Sequence, residues 1–264
     1  MIKTTKSRYP FRIGCTGSVF PDTITENVRR TAPYVDDVEL MFVGSDDTVD
    51  SPFDEDISIL KQLAVEHEIS YTVHLPVDKK AGSHRVDERI GFVQAARGII
   101  KRTAPLNPHG YILHLGGIDF NSCTEDVLFW RSAVNEACVH LMSTIDIDPR
   151  LICVENCAYP SEWHNELVQR FNFSFCFDIG HLWKYKIQNW LEILQTYLSR
   201  TRIIHLHGID NGKDHQPLTR SPRHSLMALV DTILPRFGGV VTLEMFTEKD
   251  TFDSLELMQQ LWER

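Results

Sequence analysis

Short apolar runs alternate with longer amphipathic ones along the whole chain. The short runs are Phe11–Cys15, Asp37–Met41, Ser70–His74, Tyr111–His114, Ile152–Glu155, Ser174–Asp178, Arg202–His205 and Gly239–Glu244. Near-continuous apolar stretches of this length, bounded by polar residues, predict strands buried on both faces, as in a parallel sheet. The segments between them repeat apolar positions at helical spacing. Asp56–His67 places Ile57, Ile59, Leu60, Leu63 and Ala64 on one face, and Glu88–Arg102 carries Ile90, Phe92, Val93, Ala96, Ile99 and Ile100. Leu128–Ile145, Ser161–Arg170, Gln188–Tyr197 and Pro222–Phe237 follow the same rule. A first helix is expected near Thr23–Thr31, capped by Thr23 or Asp22, and a last one from an Asp253 cap to Trp262. Strand and helix alternate eight times in 264 residues. That order and length predict one α/β domain over residues 1–264, a (β/α)8 TIM barrel with right-handed crossovers. Three strand-to-helix connections are long, Phe42–Pro52, Leu75–Asp87 and Leu206–Ser221. On such a barrel they belong to the C-terminal face, where specificity resides.

The strand tips carry the chemistry. Glu39, His74, His114, Glu155, Asp178, His205 and Glu244 stand at or just after the ends of seven apolar runs. Barrel geometry points these tips toward one axis, so the carboxylates repel one another unless a cation neutralises them. Carboxylates and imidazoles around one opening are the donor set of zinc, manganese or iron. Glu39 is followed by Leu40, Met41 and Phe42, which suits a supporting or substrate contact better than a ligand. Asp178 and His181 form D-I-G-H, in which Gly180 permits a sharp turn and both side chains face one cavity. His207 shares an extended face with His205, and Asp214-His215 follow in the loop, with D-N-G-K-D reading as a solvated turn.

Composition narrows the partners. The net charge of −9 gives no basic footprint for a nucleic acid. The basic N-terminus lacks an apolar core, and no run approaches the ~20 apolar residues of a membrane span, so a soluble, cytoplasmic monomer or homodimer is expected. Six cysteines in this length do not form a disulfide framework, and Cys153 and Cys176 read as small apolar residues of buried strands. No Walker loop, G-x-G-x-x-G or G-x-S-x-G elbow is present. Phe20, Phe42, Trp183 and Tyr185 lie near the expected mouth. Lys79, Lys80 and Lys213 suit either a phosphate contact or plain solvation.

The order of these tips resembles the superfamily that joins the xylose-isomerase-like isomerases and epimerases to endonuclease IV. In the endonuclease branch the resemblance implies up to three metal ions, on His74, His114, Glu155, Asp178, His181, His205, His215 and Glu244. In the epimerase branch it implies one ion on Glu155, Asp178, His205 and Glu244. The endonuclease pattern has Asp where this chain has Lys213, with Asp214 adjacent. FRIGCTGSVFP, NVRRTAPYVDDVELMF, ISYTVHLPVD, FDIGHLW and IIHLHGIDNGKDH are similar to a closer family, the cobamide-remodelling phosphodiesterases.

That resemblance implies a metal-dependent hydrolase, zinc first among the candidate ions. It would cleave the nucleotide loop of a cobamide, a small-molecule corrinoid, with Glu155, Glu244 and His215 as catalytic groups. Lys79, Lys213, His207, Glu39 and Trp183 are then candidate substrate contacts. The same Glu155 and Glu244 could instead move a proton in a sugar isomerase or epimerase. Residue type alone leaves both chemistries open, while the additional histidines favour a cluster and phosphoester hydrolysis.

Overall fold

The computed structural model describes residues 4–42 and 53–264. Eight parallel strands close into a barrel: β1 (Arg12–Thr16), β2 (Asp37–Met41), β3 (Ser70–His74), β4 (Gly110–Leu113), β5 (Ile152–Glu155), β6 (Ser174–Asp178), β7 (Thr201–Leu206) and β10 (Val240–Leu243). Each strand pairs with its sequence neighbour in the barrel, and β1 closes the ring on β10 with Arg12 beside Val240 and Cys15 beside Leu243. Closure leaves no barrel edge, which suits strands apolar on both sides. Helices α1 (Ile24–Thr31), α2 (Phe53–His67), α3 (Val86–Thr103), α4 (Thr124–Thr144), α5 (Glu162–Phe171), α6 (Ile179–Lys184), α7 (Trp190–Tyr197), α8 (Arg223–Thr232) and α9 (Glu248–Trp262) form the connections. The expected (β/α)8 barrel is the observed fold.

The core has two parts. The larger fills the space between sheet and helices, with Trp130, Tyr71, Tyr111, Phe92 and Phe175 among its fully buried side chains. The smaller lies among Ile112, Cys153, Cys176, Ile203 and Val240, which strands β4 to β7 and β10 contribute. Cys153 and Cys176 are therefore packing residues, and all six cysteines are free. Among the described residues no helix is long and apolar enough to cross a membrane.

Local signals account for most element ends. Thr23 caps α1, accepting a hydrogen bond from the Glu26 amide at 3.3 Å. The last helix begins earlier than its expected Asp253 cap. Thr247 accepts from the Asp250 amide at 3.2 Å and donates its hydroxyl to the Asp250 carboxylate at 2.8 Å, so Thr247 is the side-chain N-cap. The Leu206–Ser221 connection is not a plain loop. It contains a hairpin, β8 (Gly208–Asp210) and β9 (Lys213–Gln216), joined by Asn211 and Gly212 with φ of 50° and 79°. Asn-Gly is the preferred pair for a two-residue turn that needs both φ values positive. Of the Phe42–Pro52 connection, residues 43–52 lie outside the described residues.

Candidate metal centre

The strand ends at the C-terminal face deliver four carboxylates that are almost wholly buried: Glu39, Glu155, Asp178 and Glu244. Glu155, at the tip of β5, is the hub. Its Oε2 lies 2.8 Å from His114 Nε2, 3.6 Å from His74 Nε2 and 3.6 Å from His205 Nδ1. Its Oε1 faces the other way, 3.6 Å from His181 Nδ1. One carboxylate thus spans two groups of imidazoles, the position of a bridging ligand.

Asp178 ends β6 and also caps α6, accepting from the His181 amide at 2.6 Å through Oδ1. This tether turns the first helical residues over the barrel mouth and brings His181 Nδ1 to 3.1 Å from Asp178 Oδ2. His207, just past β7, is buried with Nε2 3.2 Å from Asp178. Its Nδ1 accepts the His215 amide at 3.0 Å. His215 lies in β9 at φ 52°, a strained conformation for a residue with a Cβ. From there its Nδ1 reaches 3.5 Å from Glu244 Oε2. The Asn211-Gly212 hairpin therefore folds the loop histidine back over the centre. Asp214 comes with it, its Oδ2 3.5 Å from His181 Nε2 and 2.5 Å from Lys184 Nζ. The run expected to be a solvated turn supplies a carboxylate to the rim.

Gly180 is needed for close approach. A Cβ there would lie 2.1 Å from His207 Cε1 and 2.4 Å from its Nε2. Only glycine lets α6 start against the His207 ring.

The electrostatics follow from packing so many ionisable groups together. Burial pushes the Glu155 carboxyl up, but the His114 and His205 imidazoles outweigh it and hold it well below the usual carboxylate range. Asp178 is likewise held down by His181 and His207 against its burial. Burial depresses His74, yet the nearby carboxylates, Glu155 foremost, raise it to about 9. Charges of both signs are thus stabilised only by one another.

The residues fit a cation. His181 Nδ1, His205 Nδ1, Glu244 Oε2 and Glu39 Oε1 are buried without a hydrogen-bond partner among the described residues. Orphaned acceptors of this kind are what a metal satisfies. Donor atoms lie close enough to share an ion in His74, His114 and Glu155, in Glu155, Asp178 and His181, in His181, His207 and His215, and in Glu39, His74, His205 and Glu244.

All eight expected ligands therefore converge. The candidate substrate contacts divide. Glu39 is fully buried beneath the centre, its Oε2 2.9 Å from His205 Nε2, so it orients that imidazole and is out of reach of a substrate. Trp183 is buried against Trp190 and does not line the mouth. It follows His181 by two positions, which on a helix turns it to the opposite side. Lys79 lies beside its neighbour Asp78, and Lys213 is exposed on the hairpin. Lys184 is the cation that faces the rim.

Asn156 also escaped the sequence reading. Its side chain donates to the Asp178 carbonyl at 2.9 Å and accepts the Asp178 amide at 2.8 Å, locking the tips of β5 and β6 together. The signal was an amide directly after the Glu155 tip.

A family model for the xylose isomerase-like TIM barrel matches residues 35–261. No curated protein sequence matches the chain. Among solved structures, a D-tagatose 3-epimerase-like protein superposes with a TM-score of 0.75 at 20% identity, over 96% of this chain and 97% of its own. Endonuclease IV from Thermus thermophilus gives 0.74 at 17% identity, over 96% and 99%. The 3-keto-D-glucoside 4-epimerase YcjR from E. coli gives 0.69 at 15%, over 96% and 100%. With its closed parallel barrel and a model match over most of its length, the chain belongs to the xylose isomerase-like TIM barrel family.

Proposed function

We propose that the chain is a metal-dependent phosphodiesterase acting on the nucleotide loop of cobamides. The observation that carries the hydrolase reading is the set of histidines beyond a four-ligand core. His74, His114, His181 and His215 all converge around Glu155 and Glu244. A single-ion isomerase needs none of them as ligands. The corrinoid substrate rests on the similarity of the five sequence segments to the cobamide-remodelling family.

His74, His114 and Glu155 would hold one ion, and Glu155, Asp178, His205 and Glu244 a second, with His181 and His215 toward the rim. Divalent metals there supply charge neutralisation for a phosphodiester and lower the pKa of water. Glu244, buried at the centre, would take the proton of the attacking water through whichever carboxylate oxygen is not bound to an ion. His215 is the most exposed of the ligand histidines and stands where a leaving oxygen can be protonated. Lys184, paired with Asp214, adds positive charge on the same side. The P–O bond to the nucleoside breaks, the hydroxyl of water goes to phosphorus, and the nucleoside oxygen takes a proton. The products are cobinamide phosphate and an α-ribazole-type nucleoside.

The test is product identification by mass spectrometry. Metal-loaded protein is offered a cobamide, a panel of ketoses and abasic DNA. Cobinamide phosphate plus nucleoside is expected. Epimer or aldose–ketose interconversion with the cobamide untouched would replace this reading with a sugar isomerase or epimerase.

A further inference from the structure

A crevice of about 150 Å³ opens beside the centre, between the segment after β4 and the end of α6. His181 belongs to both: it lines the crevice and faces Glu155 and Asp178. Phe120 and Tyr185 stand at the mouth, both exposed, with ring centroids 5.0 Å apart. At that separation the rings touch each other, so they form one aromatic wall and not a sandwich. Tyr185 follows His181 by four positions, hence on the same helical face, with ring centroids 6.3 Å apart. Cys157, Leu182, Ile187 and Ile193 make most of the remaining lining apolar, with Ser161, Glu162 and Asn189 as its polar members, and the buried Tyr159 donates its hydroxyl to the Glu155 carbonyl.

This lining selects among ligands. A sugar brings a hydroxyl on most carbons, and each would need a partner on losing water. Mostly apolar walls and an aromatic edge, with only Ser161, Glu162 and Asn189 to offer partners, leave several of them unpaired. A flat heteroaromatic ring loses little on entering and gains stacking on the aromatic wall. Because His181 forms the inner wall, a ring seated here is held within reach of a phosphate at the centre. We propose that the crevice between Phe120, Tyr185 and His181 binds the planar base of the substrate's nucleoside and sets base preference. This rests on the phosphodiesterase reading for the identity of the base, and on the crevice itself for its being a ring.

The probe is α-ribazole, titrated calorimetrically into metal-loaded full-length protein, together with steady-state kinetics on the intact cobamide. Phe120→Ala and Tyr185→Ala should each weaken α-ribazole binding about tenfold. Both should raise KM to a similar degree with kcat little changed. Tyr185→Phe, which keeps the ring, should bind as wild type does. Unchanged melting temperature and metal content exclude a structural cause. Cobamide cleavage with unaltered KM and nucleoside affinity in both alanine variants would overturn the crevice and leave the phosphodiesterase reading intact. No binding of nucleoside by the wild type, or preferential binding of a ketose at these residues, would also overturn it. Ring binding lost in the variants, with the cobamide left uncleaved by the wild type, would support the crevice and refute the reaction.

Discussion

Replacing Glu39 by glutamine should loosen the metal while leaving the fold intact. Glu39 Oε2 and His205 Nε2 are 2.9 Å apart, and neither side chain is exposed to solvent. The contact fixes the proton on Nε2 and leaves Nδ1 for a cation. That Nδ1 points between Glu155 and Glu244, at 3.6 and 3.4 Å. A hydrogen bond to a buried charged group contributes about 1.5–3 kcal/mol, and a neutral acceptor keeps roughly half of that. Glutamine retains an acceptor oxygen at the same place, so the expected loss is about 0.8–1.5 kcal/mol, or roughly 4- to 13-fold in metal affinity. Alanine removes the contact altogether and should cost about 10- to 100-fold, the usual range for a group that orients a ligand imidazole. Competition with a fluorescent zinc chelator measures this directly. The metal-free protein should respond in the same direction. Glu39 is the buried charge partner of His205, so neutralising it leaves that imidazole less well compensated, and the metal-free Glu39→Gln variant should melt below the wild type. Unchanged zinc affinity in both variants would refute the orienting role. A loss beyond about 1000-fold on glutamine substitution, well above the range for an orienting group, would show that Glu39 is itself a ligand.

Asp178→Asn should abolish activity and strip metal, measured by elemental analysis, with circular dichroism unchanged, because the amide can still cap α6 but no longer carries charge. His74→Ala, His114→Ala and His181→Ala should each reduce turnover by about tenfold or more; near-normal rates in all three would favour a single-ion enzyme. Gly180→Ala should displace His207 and lower zinc affinity, since a methyl group cannot occupy a point 2.1 Å from that ring. His164 is fully buried with neither ring nitrogen hydrogen-bonded among the described residues, and burial lowers it to about 3. Its folded pKa lies below its unfolded one, so the stability it contributes is present above about pH 6.5 and lost as pH falls toward 3. Chemical denaturation between pH 7 and 5 should show His164→Leu sparing about 2 kcal/mol of the loss suffered by the wild type.

The fold was legible because strands buried on both faces leave a simple mark, an apolar run ending in one ionisable residue. Eight apolar runs, seven of them marked in this way, separated by helical periods admit few architectures. The candidate ligand set was legible for the same reason: β3, β5 and β6 end on their candidate residues, His205 is next to last in β7, and His114 and Glu244 stand one position past β4 and β10. What depends on contacts across the barrel was not. Glu39 and His205 are 166 positions apart, and only closure of the ring shows that the glutamate supports the histidine. Asp214 reads as part of a turn until the Asn211-Gly212 hairpin folds it back to His181. Trp183 and Tyr185 look equivalent in the chain, yet helix geometry sends one into the core and the other to the crevice. Phe120, in a connecting segment without periodicity, acquires meaning only beside Tyr185. Local periodicity records which face of an element is buried, whereas the pairing of two distant side chains is a property of how the elements pack.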